Sequence, residues 1–339
     1  MWFFPFTTSL NFIFFYMTWA TLVLSHSPLR VELVGTLAVR IIFYLLPSLL
    51  FFLFDILFPS VSVAIKARGE LGLPTGSTKP ARGLLGIGWK EAKVVAWSLC
   101  NLLVCGILAQ GVVEHVLTKV LRYRSAIRVS LRLPYPWESV LDILRAFVVR
   151  EFLTYIIHRF ALHSPRSPVS RYHLSWYHSL RVPYPLTAHY DHPIPYLLLK
   201  VVPLYASAAA FRFHMTTYML FVALVSLEET FAYSGYKTLP TGFFLGGVAR
   251  RAEMHVIRNN GGGGGGNCYF GVWGVLDWLC GTTAPAVEDH EQQEEEDQLA
   301  EEDIDEKMIR KAIEEYRRLL REKKGNGNKT RRRRVNNNR

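Results

Sequence analysis

Between Tyr155 and Pro193 the chain reads YIIHRFALHSPRSPVSRYHLSWYHSLRVPYPLTAHYDHP, which places His158, His163, His173, His178, His189 and His192 in one short stretch. They are six of the eleven histidines in the chain. Neutral imidazole offers a nitrogen lone pair near neutral pH and is the commonest metal ligand in proteins, so the density points to a metal centre. Taken singly, each is as readily a satisfied helix-end or interface residue. Spacing then constrains the geometry. On an α-helix, residues three or four apart share a face, whereas residues five apart lie about 140° around the axis. His158/His163 and His173/His178 are both five apart, so neither pair can hold one ion from a regular helix. Each pair must sit where a helix ends or loosens, and Ser164-Pro165 supplies such an end for the first. His189 and His192 could share a face. No spacing here matches the His-Glu-x-x-His pattern of zinc proteases.

The elements that must position these residues are membrane helices. Phe3–Leu24 and Val94–Val113 contain no Asp, Glu, Lys or Arg, and each approaches the ~20 residues a helix needs to cross hydrocarbon. Phe3–Leu24 is expected to be a retained spanning helix, since its apolar core is too long for a signal peptide and no basic residue precedes it. Leu33–Phe58 is a second span, kinked at Pro47, with Arg40 and Asp55 expected to snorkel toward its ends. Val140–Leu162 carries Asp142, Arg145, Arg150 and Glu151, so one side of it must face protein or water. Ile194–Phe211, interrupted by Pro203, and Phe213–Leu227 form a hairpin of apolar segments.

The basic loop Ser60–Glu91 reads as cytoplasmic. Glu114–Pro136 is basic too, and strict alternation would put it on the opposite side, so one of the two is expected to lie along the membrane surface. Gly261–Gly266 is a flexible insertion without the Lys and Ser/Thr of a phosphate loop. The net charge of +11 is unevenly placed, acidic over Val287–Glu306 and basic over Lys307–Arg339. Asp303/Lys307, Glu306/Arg310 and Glu314/Arg318 favour a charged helix within Glu288–Lys324. Such a tail suits solvent or anionic headgroups, not nucleic acid. The four cysteines show neither metal-type pairing nor a disulfide framework.

Several motifs occur in a telling order. Tyr155-Ile-Ile-His158-Arg159-Phe-Ala-Leu-His163 comes first, then His178 with Pro183 and Ala188-His189-Tyr190-Asp191-His192-Pro193. Glu229 with Ser234-Gly235-Tyr236 follows, then Asn267 to Gly271 and Leu276-Asp277-Trp278-Leu279-Cys280-Gly281-Thr282. Over Val140–Thr283, under half the chain, this resembles the fatty acid hydroxylase/sterol desaturase superfamily of membrane di-iron oxygenases. The resemblance implies an all-α, multi-pass transmembrane helical bundle with a cytoplasmic histidine-rich cap, in the endoplasmic reticulum. It divides the chain into N-terminal membrane helices and basic loops (1–139), a hydroxylase-like domain (140–284) and a charged tail (285–339).

It further implies iron, two ions in the family, that activate dioxygen to hydroxylate or desaturate a membrane lipid. Electrons would come from a separate reductase or b-type cytochrome, because no His-Pro-Gly-Gly haem segment is present. The ligands it implies are His158, His163, His178, His192 and His255, with His173 as a sixth if a local bulge admits it. Arg159, Glu151 or Asp191 would orient them.

The pattern departs from the family in places. Setting the last histidine of the second His-x-x-His-His box on His178 puts Leu174 and Tyr177 at its other positions. The third box falls on Ala252-Glu253-Met254-His255-Val256, and Tyr233 occupies a position that is often histidine. Five or six imidazoles hold one metal comfortably; they hold two only if carboxylates such as Glu151, Asp191, Glu229 or Glu253 contribute. The alternative is a non-catalytic membrane scaffold or lipid binder with an incomplete site.

Overall fold

The computed structural model describes residues 4–74, 89–180, 182–236, 246–260 and 268–283. The glycine run, the charged tail and part of the first basic loop lie outside these residues. The first 283 residues form one compact unit.

Helix α1 covers Phe4–Ser25 and α2 runs over Pro28–Leu57. Helix α2 begins by the usual rules: Pro28 occupies the first turn and the Ser27 hydroxyl accepts from Arg30 N at 3.4 Å. A π-helical turn at Ile41–Leu45 interrupts it just before Pro47, whose missing N–H cannot continue the regular ladder. Then come α3 (Pro59–Ile65), α4 (Trp89–Val120) and α5, residues 136–162. The remaining helices are α6 (Ser170–Trp176), α7 (Pro193–Ala210), α8 (Met215–Ala232), α9 (Gly246–Asn260) and α10 (Val275–Leu279). Among the described residues there is no strand, only isolated bridges Lys66–Tyr236 and Arg128–His214.

Among the described residues four helices, α2, α4, α7 and α8, are long and apolar enough to cross a membrane. Helix α1, where a span is expected at Phe3–Leu24, is 22 residues long, and its Asn11–Ser25 part is apolar. Helix α8 is the innermost of the four. Its Tyr218, Phe221, Val222 and Val225 pack with Val31 of α2, Ile143 and Ala146 of α5, and Leu204 and Ala208 of α7. The outside is apolar as well. On α5, Val140, Leu144, Val148, Phe152, Ile156 and Phe160 are all exposed, and at a spacing of four they form one stripe. Arg150, Glu151, Thr154 and His158 are buried on its other side. An apolar stripe of that length suits hydrocarbon, with the polar face turned into the bundle.

Arg40 and Asp55 do not snorkel. Both are buried, because each finds a partner inside the bundle. Arg40 Nη1 lies 2.6 Å from Glu229 Oε2 on α8, and Asp55 Oδ2 lies 2.6 Å from Lys66 Nζ while its other oxygen accepts from Tyr236 OH. Arg150 of α5 pairs in the same way with Glu228 at 2.6 Å. Pairing offsets a desolvation cost that a lone charge could not bear. Asp55→Ala, which strands the Lys66 ammonium, should therefore destabilise the protein by about 3–5 kcal/mol. Asp142→Ala, which removes an i,i+3 pair with the largely exposed Arg145, should change stability by under ~0.5 kcal/mol. Thermal unfolding midpoints of the two variants in detergent check the contrast.

Candidate metal centre

The five-residue spacings are resolved by two breaks in helix geometry. Helix α5 finishes as a π-helix over Ile157–Leu162, and His163 N donates to His158 O at 3.0 Å. This i→i+5 bond brings residues five apart onto one face, and the two rings lie 5.0 Å apart. For the second pair, α6 stops at Trp176 (φ −103°, ψ −68°) and a 3-10 turn, Tyr177–Ser179, follows. Across that break the His173 and His178 rings come within 5.1 Å. Helix α9 contributes His255, with its ring 4.4 Å from that of His158 and 4.9 Å from those of His163 and His178.

All five side chains are buried. One nitrogen from each of His158, His163, His173 and His255 lies within 4.8 Å of one from every other, and His178 Nε2 is 3.3 Å from His163 Nε2. Nitrogens bonded to one first-row ion at about 2.0–2.1 Å can be at most ~4.0–4.2 Å apart, so closure on an ion needs only a small contraction.

The outward-facing ring nitrogens are pinned. His158 Nδ1 meets Phe270 O at 2.9 Å, His255 Nδ1 meets Cys268 O at 2.7 Å, and His173 Nδ1 meets Asp191 Oδ2 at 2.7 Å. A carbonyl oxygen can only accept, so each Nδ1 it faces carries the proton and leaves the lone pair on Nε2. This is the outer-shell arrangement that orients metal-bound histidines. His158 Nε2 and His173 Nε2 are buried with no hydrogen-bond partner among the described residues. Buried polar atoms are seldom left so, and a metal ion would satisfy both. The donor set, five imidazoles, suits iron as it suits other first-row ions.

The loop that carries the two carbonyls is itself held tightly. Asp277 accepts from Phe270 N and Gly271 N, both at 2.8 Å, and Glu151 accepts from Val272 N and Trp273 N, both at 3.0 Å. A Cβ on Gly271 would stand 2.5 Å from Glu151 Oε1 and 2.9 Å from Asp277 Oδ2, so this close approach requires glycine. Between the two carbonyls Tyr269 sits at φ +57°, a costly conformation for a residue with a side chain. Burial, reinforced by the neighbouring imidazoles, pushes His158 and His178 below the ordinary histidine range. Burial likewise brings His255 down to about 4 despite its bond to Cys268 O.

Of the histidines expected as ligands, His158, His163, His173, His178 and His255 come together and His192 does not. The His192 ring stacks on Tyr172 at 4.4 Å, and its Nδ1 accepts from Ile194 N at the start of α7. His189 also stands apart, with Nε2 3.4 Å from Glu229 Oε2, a carboxylate already shared with Arg40 and, at 3.6 Å, Lys200. Among the expected orienting residues, Asp191 orients His173. Glu151 holds the loop instead, and Arg159 donates to Tyr155 OH. The carbonyls of Cys268 and Phe270 and the bracing role of Asp277 were not read from the sequence; the Leu276-Asp277-Trp278 motif was the available signal. A cavity of about 70 Å3 opens beside the cluster, lined among others by His158, His255, Tyr177, Tyr233, Phe270, Lys200, Glu228 and Glu229.

Comparison with known proteins agrees with this architecture. Residues 143–282 match the family model for fatty acid hydroxylase. Very-long-chain aldehyde decarbonylase GL1-11 of Oryza sativa subsp. japonica is 29% identical over 174 residues, covering 49% of this chain and 62% of the relative. Very-long-chain aldehyde decarbonylase GL1-8 of the same plant is 30% identical over 171 residues, covering 48% and 61%. Methylsterol monooxygenase 1-2 of Arabidopsis thaliana is 30% identical over 163 residues, covering 46% and 51%. The chain therefore spans about three fifths of the rice relatives and half of the Arabidopsis one. No solved structure gives a significant match.

Two outcomes follow from this geometry. Asp191→Asn should weaken metal affinity by about 10–100-fold, whereas His192→Ala should leave it unchanged; metal titration of the purified protein measures both. The second concerns acid. Between the ordinary histidine value of 6.5 and the depressed value of about 4 for His255, the unfolded chain binds protons that the folded, metal-free chain does not. Stability is then present above 6.5 and falls as the pH drops toward 4. The metal-free protein should show a thermal midpoint that declines steeply from pH 7 to pH 5, and a flat profile would contradict neutral burial.

Proposed function

Residues 143–282 belong to the fatty acid hydroxylase/sterol desaturase superfamily, and on that premise we propose that this chain is a membrane-bound, iron-dependent lipid oxygenase of lipid biosynthesis. It hydroxylates or desaturates a sterol or fatty-acyl substrate, using dioxygen and electrons from a separate reductase or b-type cytochrome. The observation that carries this reading is the convergence of five buried imidazoles beside a small cavity. Iron bound by His158, His163, His173, His178 and His255 would supply the activation of dioxygen. The chain's own residues do the rest. Phe270, Leu199, Val248 and Val272 give the cavity apolar walls, which exclude water from the reacting segment. The volume admits only a short part of a substrate, so the remainder of a long lipid must lie elsewhere, and the exposed apolar face of α5 gives it hydrocarbon surroundings.

A very-long-chain aldehyde and a methylsterol, the molecules in the relatives' names, are both largely apolar with little polar area. A substrate of that type fits a cavity that combines apolar walls with a few polar groups, Lys200, Glu228 and Glu229 among them. In this reading residues 140–284 make up the hydroxylase-like domain and 1–139 supply flanking membrane helices. Residues 285–339 form a charged appendage. The histidines face the cytoplasm from the endoplasmic reticulum membrane, where donor proteins reach them.

A second reading, a metal-free scaffold or lipid binder, draws support from tyrosines at positions 177 and 233, where the family pattern has histidine. Lipid profiling of cells expressing the wild type, His158→Ala, His178→Ala or no protein separates the two. The oxygenase reading expects both variants to match the deletion, with a substrate lipid accumulating and its oxidised product absent. If both variants restore the wild-type profile, the scaffold reading stands instead.

A further inference from the structure

We infer that this centre is built for a single metal ion and that the place a second would take is lined by a tyrosine pair and a cation-bound carboxylate in place of free ligands. The inference rests on the oxygenase reading only in taking the five-histidine cluster as a metal site. Two-metal sites hold their ions about 3.5–4 Å apart, so a second ion would occupy the cavity beside His158 and His255. The groups that meet it there are not ligands in waiting.

Tyr177 OH and Tyr233 OH bond each other at 2.5 Å, and both residues are buried. Lys200 Nζ lies 5.4 Å from the centre of the Tyr233 ring and 3.6 Å from Glu229 Oε1. Arg40, which keeps its charge at any working pH, takes the other Glu229 oxygen at 2.6 Å. Both oxygens of the one cavity carboxylate best placed to attract a dication, Glu229, are therefore already taken by basic side chains.

The other carboxylates that could complete a second site are committed as well. Both oxygens of Glu151 accept backbone N–H groups of the 272–273 turn. Asp191 serves His173 Nδ1 and His192 N. Glu228 takes Arg150 and the Trp273 indole N–H, at 2.6 and 2.7 Å. Glu253 faces Arg68 at 3.9 Å. Of the histidines outside the cluster, His192 is engaged at the start of α7, and His189, whose ring nitrogens make no hydrogen bond among the described residues, stands with Nε2 3.4 Å from the Arg40-bound Glu229 and its ring edge-on to Tyr44, outside the group of five. What remains is one group of five imidazoles, a complement for one ion and too few for two.

The test uses the full-length protein, loaded anaerobically with ferrous iron, freed of excess metal and assayed for iron per chain and by Mössbauer spectroscopy. The expected result is one iron per chain with the signature of an isolated ion, unchanged in His189→Ala and lost in His173→Ala. Two irons per chain with an exchange-coupled signature after oxidation, or a fall on replacing His189, overturns the single-ion inference while leaving the oxygenase reading intact. A protein that unfolds cooperatively yet retains no iron overturns both. Because His173→Ala could misfold, the wild-type stoichiometry and the His189→Ala comparison carry the decision by themselves.

Discussion

Five buried imidazoles whose neighbouring rings lie 4.4–5.3 Å apart share one small space. Burial, with repulsion between neighbouring rings, holds His158 and His178 below the ordinary histidine range, and burial does the same for His255. Neutral imidazole has one donor and one acceptor, so the fold must supply an outward acceptor wherever a lone pair is to point inward. Cys268 O, Phe270 O and Asp191 do this for three of the five. Much of the surrounding structure exists to keep those acceptors in place. Asp277 and Glu151 pin the loop carrying the carbonyls, glycine at 271 lets it approach, and Asn101 of α4 donates to the backbone oxygens of His189 and Asp191 at 3.0 and 2.8 Å.

The bundle meets a related electrostatic demand within its apolar surroundings. Ion pairs between α2 and α8, between α5 and α8, and between Asp55 and Lys66 put charge in the interior only in matched sets. A further buried network joins Glu32 of α2, Gln110 and Glu114 of α4, and Tyr205 of α7, with Gln110 Nε2 2.6 Å from Glu32 Oε1 and Tyr205 OH bonded to both carboxylates. Helices that apolar contact alone would let slide acquire a defined register from such directional bonds. That register fixes α5, which carries His158, within the bundle.

Much of this was legible because composition and spacing carry it. Apolar length announced the spanning helices α2 and α4, and the i,i+5 histidine pairs required broken helices, which the π-helix at 157–162 and the 3-10 turn at 177–179 provide. Register was the weak point. Motif alignment favoured His192 over His173, but the break at Trp176 rotates His173 inward onto Asp191, and Pro193 leaves His192 at the start of a helix, away from the cluster. Arg40 and Asp55 misled for another reason: an intramembrane charge reads as snorkelling until its partner is known, and Glu229 and Lys66 are distant or loop residues. Backbone carbonyls have no letter in a sequence, so the acceptors at 268 and 270 could emerge only from the fold.

The central claim is that five imidazoles, and no second metal, surround one ion. X-ray absorption at the iron edge of the loaded protein addresses it directly. A single ion held by imidazoles should give a nitrogen shell near ~2 Å, strong imidazole multiple scattering and no iron–iron vector at about 3.5–4 Å. A shell dominated by oxygen without imidazole scattering, or a clear iron–iron vector, would contradict it.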